Sequence, residues 1–292
     1  MLPIETDLIL EATELWRQRP SDPGELPGVA TREYQREGFP VTEVRVLDQT
    51  GAEAVGKPVG TYLTVETGRD SRAGDYPKRA AEAVAGALRG LLPRDANGSA
   101  LVVGLGNRAI TPDAVGPWAV DHTVVTRHLV ARLPETFGDF RPVAAVATGV
   151  LGSTGVESGE LVKALCQRLR PAVVVAIDAL AACSARRLCS TIQLADTGIV
   201  PGSGVGNARF ALTREELGVP VLAVGVPTVV RAATLAADLG ADEGQQQTLG
   251  SLLVTPKDID ALAAELAQII GCGVTMGLQE GLTPEDVEYL LR

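Results

Sequence analysis

Five short runs of small aliphatic residues constrain the fold of this chain more than any other feature of its sequence. They are ALVVGLG (100–106), VAAVATG (143–149), AVVVAIDAL (172–180), STIQLAD (190–196) and VPVLAVG (219–225). Helical patterns lie between and after them, near residues 114–133, 157–170, 228–239, 257–270 and 284–291. Strands that are apolar on both faces are typical of a parallel sheet covered by helices. We therefore predict an α/β fold with a mostly parallel central sheet flanked by helices.

The part of the chain before residue 100 has a different pattern. TEVRVLD (42–48) and TYLTVET (61–67) alternate between apolar and polar residues, which indicates strands of a half-exposed sheet. Residues 76–92 are rich in Ala, Lys and Arg and are predicted to form a helix. Residues 8–40 include the Pro- and Gly-rich segment RPSDPGELPGVA, so we expect an irregular N-terminal arm there.

Composition and charge exclude several classes of function. The formal net charge of −10 argues against direct binding to nucleic acid or to anionic membranes, because both need basic surfaces. The chain has four cysteines without a C-x-x-C pair and only two histidines, so neither a metal site nor a cofactor is predicted. The N-terminus shows no basic region before its first apolar residues, and we expect a cytoplasmic protein.

The segment GLGNRAITPDAVGP follows the first apolar run and permits two interpretations. Its first six residues fit the G-x-G-x-x-[GA] turn of dinucleotide-binding folds. In such folds a phosphate lies at the N-terminus of the next helix, where the carboxylate of Asp113 would repel it. No acid follows the second strand to bind ribose hydroxyls. We therefore favour a glycine turn without the cofactor.

Two acids follow or end parallel strands in this scheme. Asp178 lies near the carboxyl end of AVVVAIDAL, and Asp113 lies in the loop after ALVVGLG. The carboxyl ends of parallel strands share one edge of the sheet, where functional clefts form. Two carboxyl groups that share a proton provide one base and one acid, which suffices to activate water against a peptide carbonyl. The alternative is structural, with Asp113 capping a helix and Asp178 ending a strand.

Long motifs resemble the germination proteases of spore-forming bacteria. They are GLGNRAITPDAVGPWAV, VTRHL, ATGVLGSTGVESGELV, VVVAIDALAA, STIQLADTGIVPGSGVGN and GVPVLAVGVPTVV, which occur in the family's order and spacing. The N-terminal IETDLILEA and the C-terminal LLVTPKDID are also similar to that family. Most of the chain is thus covered by the resemblance. Residues 238–252 form a much shorter segment than the corresponding region of the family.

The resemblance implies a specific activity. It implies an endopeptidase that degrades small acid-soluble spore proteins during germination, located in the spore core and assembled as a homotetramer. It also implies a fold similar to the hydrogenase maturation proteases and an aspartic-type mechanism. The acid of TPDAVGP is Asp113 and that of AIDALAA is Asp178, so these two residues are expected to be catalytic.

The resemblance further implies a self-processing zymogen. The family's cleavage motif is an acid followed by an aliphatic residue, which corresponds here to the Asp7–Leu8 bond. We therefore expect a propeptide at residues 1–7 and a single α/β protease domain at residues 8–292. A metal-dependent peptidase of the same fold is the alternative.

Further residues are candidates for binding substrate. The amide of Asn107 could bind a substrate carbonyl or could fix its own turn, and Gly204 lies in a glycine loop that suits an extended peptide. Arg108 and Arg127 could bind the acidic residue before the scissile bond, although solvation at the surface is the favoured explanation for each of them taken singly.

Overall fold

The computed structural model describes residues 6–18, 25–68, 74–202, 210–250 and 252–292. Nine strands form one sheet within these ranges, in the order β1-β2-β3-β7-β8-β6-β4-β5, with β9 paired to β8. The strands are β1 (Val29–Arg36), β2 (Phe39–Val46), β3 (Gly60–Glu66), β4 (Ala100–Leu105), β5 (Val143–Gly149), β6 (Val173–Ala182), β7 (Thr191–Ala195), β8 (Val221–Arg231) and β9 (Leu253–Val254).

The sheet has a parallel part and an antiparallel part. Strands β5, β4, β6 and β8 are parallel to one another, which confirms the predicted α/β arrangement for this part of the sheet. Strands β1, β2, β3 and β7 are antiparallel, and β7 also pairs antiparallel with β8. The connection from β6 to β7 explains this change, since the chain from Ala182 to Thr191 is shorter than the dozen or so residues that a parallel crossover needs. The sheet is therefore mixed.

Helices cover both faces of the sheet. They are α1 (Ile9–Arg17), α2 (Gln49–Val55), α3 (Tyr76–Leu91), α4 (Val115–Asp121), α5 (Arg127–Arg132), α6 (Pro134–Phe137), α7 (Leu151–Thr154), α8 (Ser158–Leu169), α9 (Arg214–Leu217), α10 (Ala232–Asp238), α11 (Glu243–Thr248), α12 (Ile259–Leu278) and α13 (Pro284–Leu290). Along β4, Val102 faces the core under α3, α4 and α12, whereas Leu101 and Val103 face the core under α8. Burial on both faces accounts for the continuous apolar runs.

The longest helix, α12, is apolar enough and long enough to cross a membrane by length and composition alone. In this fold most of it is buried against α3 and α4. Gly273 makes the close approach possible, because a Cβ there would lie 2.8 Å from the carbonyl oxygen of Ala81. The arrangement of α12 is that of a central core helix.

The prediction of an irregular arm over residues 8–40 is wrong. Ile9–Arg17 forms α1, with Ile9, Leu10 and Trp16 buried, and Val29–Arg36 forms the edge strand β1. Most β1 side chains are exposed, so the strand shows no apolar alternation, and backbone pairing along β2 holds it in place. An edge strand of this kind leaves little signal in the sequence.

Other predicted helices have different bounds, and the one expected near 257–270 continues as α12 to Leu278. For two more helices the structure shows the cause. Strand β8 extends to Arg231 along the extension of β6, so the helix expected from residue 228 begins at Ala232. The helix expected over 114–133 is broken between α4 and α5, where the Thr126 hydroxyl accepts a hydrogen bond from the backbone of Val143. In both places, pairing with a neighbouring strand overrides the local helical pattern.

Candidate active site

Unequal strand lengths position Asp178. The paired part of β4 alongside β6 ends at Gly104, opposite Ile177, while β6 continues to Ala182 beside β8. Asp178 is thus the first residue of β6 beyond that pairing, and its partner in β8 is Gly225. The side chain is 6% exposed, and its Oδ1 accepts a hydrogen bond of 2.9 Å from the backbone of Ala179. The carboxyl group of Asp178 therefore lies where the pairing between β4 and β6 ends, in the middle of the parallel part of the sheet.

Asp113 reaches the same region from the loop after β4. It ends a short 3-10 turn, Thr111–Asp113, and its Oδ2 accepts a hydrogen bond of 2.9 Å from the backbone of Asn107. Gly106 has φ of +111°, and a Cβ at that position would lie 2.1 Å from the carbonyl oxygen of Asp113. The glycine is needed both for its backbone angle and for the close approach of the acid.

The glycines of the dinucleotide-like motif have structural explanations. A Cβ on Gly116 would lie 2.3 Å from the carbonyl oxygen of Leu105 and 2.5 Å from that of Ile177. Helix α4 therefore packs directly on the ends of β4 and β6. Within the motif itself, a Cβ on Gly104 would lie 2.3 Å from the carbonyl oxygen of Gly116 in α4, and Gly106 gives space to the Asp113 turn, so the pattern does not require a bound phosphate.

The two acids share one cavity, which has a volume of about 390 Å³. Asp113 and Asp178 both line it, as the convergence of the two strand ends predicts. Much of the remaining wall is apolar and includes Leu105, Ile110, Val150, Leu180, Val229 and Leu253. A cavity with apolar walls and a few convergent polar groups is typical of ligand and substrate sites.

Two threonines support the Asp113 turn. Thr228 of β8 is fully buried at the cavity, and its hydroxyl donates a hydrogen bond of 2.7 Å to the carbonyl oxygen of Pro112. The hydroxyl of Thr255, just after β9, donates a bond of 2.8 Å to the carbonyl oxygen of Thr228. Sequence reasoning missed both residues, although a threonine inside the apolar run VPTVV was the available signal.

A third acid, Asp7, also lines the cavity. Its backbone N–H donates to the carbonyl oxygen of Ala181 at 3.0 Å, and its Oδ2 accepts from the backbone of Ala181 at 2.8 Å. Leu8 is 2% exposed and packs in an apolar cluster with Leu180, Ala182, Leu188 and Val230. The Asp7–Leu8 bond singled out in the sequence thus lies along the end of β6, next to the candidate catalytic acids.

The other sequence candidates have different placements. The Asn107 side chain accepts a hydrogen bond from the backbone of Ala109, which is the turn-fixing arrangement, and contact with substrate stays a prediction. Gly204 lies outside the described residues. Arg108 pairs with Asp121 at 2.5 Å and Arg127 is exposed on α5, and neither lines the cavity. The proposed arginine pocket is therefore not found at these two residues.

Metal-binding potential can be judged for the described part of the chain. There, no group of three or more His, Cys, Asp or Glu side chains is arranged to hold a metal ion. None of the four cysteines, all of which lie in the described residues, forms a disulfide, and burial raises the pKa of the Cys166 thiol above its ordinary value. The metal-dependent alternative has no candidate centre in these residues.

Comparisons with known proteins identify the family. A family model described as germination protease matches residues 7–241. This chain belongs to the germination protease family. Relatives include the germination proteases of Caldanaerobacter subterraneus, 43% identical over all of this chain and 99% of the relative, and Clostridium tetani, 39% identical over 99% of each. The germination protease of Priestia megaterium is 38% identical over 97% of this chain and 76% of its own length.

Membership of the germination protease family makes the chain a protease of spore germination. Among solved structures, a [NiFe] hydrogenase maturation protease from Thermococcus kodakarensis is similar over 63% of this chain and 96% of its own. That similarity has a TM-score of 0.36 and 17% sequence identity.

Proposed function

We propose that this germination protease is an aspartic-type endopeptidase in which Asp113 and Asp178 activate a water molecule. The observation that supports the proposal most strongly is that the two carboxyl groups line one cavity although they are far apart in sequence. One is held by the turn after β4 and the other by the extension of β6. The cavity also has apolar walls suited to an extended peptide.

The proposed mechanism needs the two acids in opposite protonation states. Two carboxyl groups at one site tend to retain a single proton between them. The ionised carboxylate takes a proton from water as it attacks the scissile carbonyl, and the protonated carboxyl donates to the departing amine. The hydrogen bonds from the backbones of Asn107 and Ala179 hold one oxygen of each acid, which fixes their orientation.

The substrates in this proposal are the small acid-soluble spore proteins, degraded in the spore core by a homotetramer. The resemblance of the long motifs to the family supports this part. We further propose that the chain is a zymogen that cleaves its own Asp7–Leu8 bond. The position of Asp7 supports self-processing, because the residue before the bond lines the same cavity as the two acids.

Mass spectrometry of the purified protein over time, alone and with a small acid-soluble spore protein, tests the proposal. The unaltered chain is expected to lose residues 1–7 and to cleave the substrate. Asp113→Asn and Asp178→Asn are each expected to slow both reactions by about 10²-fold or more. Asp121→Asn is the matched control, because Asp121 lies outside the cavity and pairs with Arg108.

The same measurement separates the alternatives. An Asp178→Asn chain that trims at the rate of the control would refute the proposed catalytic pair. Loss of activity on adding a chelator, with recovery on adding a divalent metal, would support the metal-dependent peptidase instead.

A further inference from the structure

The segment Thr6–Leu8 is bound to the body of the protein in the way that a peptide ligand binds a cleft. Asp7 exchanges hydrogen bonds with the backbone of Ala181 through its N–H and its carboxylate. The Gln193 side chain donates to the carbonyl oxygen of Asp7 at 3.1 Å and accepts from the backbone of Ile9 at 2.7 Å. Backbone contacts of this kind are independent of sequence, so another peptide could use them.

One cation belongs to this binding site. Lys57 follows α2, and its ammonium donates a hydrogen bond of 2.7 Å to the carbonyl oxygen of Thr6. Burial lowers the pKa of Lys57 below its ordinary value, while the nearby carboxylates of Asp7 and Glu11 act in the opposite direction. A cation removed from water needs an anion close to it, and two carboxylates are available.

Glu11 is already occupied by other donors. Its carboxylate accepts hydrogen bonds from the backbones of Cys183 and Ser184, at 2.7 and 3.0 Å, and from the Thr6 hydroxyl. It also lies 3.7 Å from the guanidinium of Arg187. Glu11 belongs to the body of the protein and stays the same whichever peptide is bound. The carboxylate that changes from one bound peptide to another is therefore that of the residue in the position of Asp7.

Cleavage after Asp7 would open only part of this segment's binding site. Leu8 stays in its cluster with Leu180, Leu188 and Val230, and it is followed directly by the buried start of α1. Residues up to Asp7 would leave, which exposes the Ala181 backbone and the Lys57 ammonium. The space that becomes available is suited to an acidic side chain.

We infer that Lys57, together with the backbone N–H of Ala181, forms the subsite that selects the acidic residue before the scissile bond, first in the chain itself and then in substrates. This inference rests on the proposed cleavage of the Asp7–Leu8 bond. Lys57 is a specificity-determining residue in this scheme. Its ammonium, held on the carbonyl oxygen of Thr6, places a positive charge beside residue 7, whereas the Ala181 N–H can bind a neutral amide oxygen as well as a carboxylate.

A double-mutant cycle on self-trimming tests the inference with the full chain. Asp7→Asn keeps the shape and an oxygen acceptor for Ala181 but removes the charge. In the chain with Lys57 unaltered, this change is expected to slow trimming by about tenfold or more, because the side chain at position 7 loses the charge that attracts the partly buried ammonium. In the Lys57→Met background the same change is expected to alter the rate by less than about twofold.

Controls separate charge recognition from folding. Lys57→Arg keeps the charge and is expected to preserve a preference for Asp over Asn, and it serves as a second variant if Lys57→Met unfolds. Lys78→Met is the matched control, because Lys78 pairs with Glu285 away from the cavity. Equal slowing by Asp7→Asn in the Lys57, Lys57→Arg and Lys57→Met backgrounds would overturn the inference while leaving the proposed protease intact.

Peptide cleavage by the trimmed, unaltered enzyme completes the test. Two peptides that differ only in Asp or Asn before a Leu should differ about tenfold or more in kcat/KM. Equal kcat/KM values would overturn the inference for substrates. A chain that never cleaves between residues 7 and 8 would instead contradict the proposed function on which the inference rests.

Discussion

At the scale of single residues, the candidate site depends on the neighbouring groups that fix the position of Asp113. Gly106 permits the turn, Asn107 donates its N–H to the acid, and Thr228 fixes the carbonyl of Pro112. The Asn107 bond holds one oxygen of the carboxyl group directly, and the other two contacts hold the backbone of the turn that carries it. Preorganisation of this kind determines how well a pair of acids can act together.

Replacement of Thr228 by Val removes the hydroxyl that holds Pro112 while keeping the shape of the side chain. We expect kcat to fall by about 10-fold to 100-fold, because a small displacement of a catalytic group is costly. Thr228→Ser restores the hydroxyl and should recover most of kcat. Steady-state kinetics with thermal unfolding as a control measure both variants, and equal kcat for Val and Ser would show that the hydrogen bond is unimportant.

Replacement of Gly106 by Ala introduces a Cβ where Asp113 needs space. The φ of +111° and the 2.1 Å contact with the Asp113 carbonyl oxygen make the variant strained. We expect a loss of roughly 1–3 kcal/mol in the free energy of unfolding, together with a large loss of protease activity. Gly90→Ala in α3 is the control, because nothing lies within 4 Å of a Cβ there and helix propensity favours Ala. Denaturant unfolding that leaves both variants equally stable would contradict this explanation of Gly106.

At the scale of elements, the sequence predicts the parallel strands well and the exposed antiparallel edge poorly. The runs that became β4, β6 and β8 carry their own signal, because burial on both faces selects Val, Ala and Ile, and the half-buried parallel edge strand β5 has a similar run. Strand β1 is mostly exposed and depends on pairing with β2, so a local pattern cannot reveal it. The convergence of Asp113 and Asp178 follows from strand order. Lys57, in contrast, contacts the Thr6–Leu8 segment through tertiary packing, which no sequence motif indicates.

The start of α13 illustrates an element that local sequence specifies completely. Thr283 is the N-cap, Pro284 follows it, and Thr283 and Asp286 exchange hydrogen bonds in a capping box. Thr283→Ala should lower the free energy of unfolding by about 1 kcal/mol. Thermal unfolding measures this change, and an unchanged Tm would show that α13 does not contribute to the cooperative fold.

The same cap gives a pH dependence with a defined sign. Hydrogen bonds from the side chain and the backbone of Thr283 lower the pKa of the Asp286 carboxyl group below its ordinary value. A carboxyl group whose pKa is lower in the folded state stabilises it above the ordinary pKa and loses this contribution as the pH falls through the folded value. The Tm difference between the unaltered chain and Asp286→Asn should therefore be largest near neutral pH and shrink below about pH 4. A difference that grows on acidification would contradict the assignment.

At the scale of the whole molecule, the N-terminal segment and the cleft form one unit. Residues 6–8 bind along β6, α1 continues from them, and Lys57 and Gln193 hold them from two other elements. Removal of residues 1–7 would therefore change the lining of the cleft directly, because Asp7 is part of that lining. Under the proposed self-processing, trimming of the chain and recognition of the substrate would depend on the same small set of contacts.

The most direct test of the account concerns its central claim, that Asp113 and Asp178 act as one catalytic unit. The measurement is kcat/KM for a single spore-protein substrate with Asp113→Asn, Asp178→Asn and the double variant, all with unfolding curves matching the unaltered chain. Residues that act as a unit lose activity non-additively. We predict that each single variant loses almost all activity and that the double variant loses little more. A single variant that keeps at least half of the original kcat/KM would contradict the account.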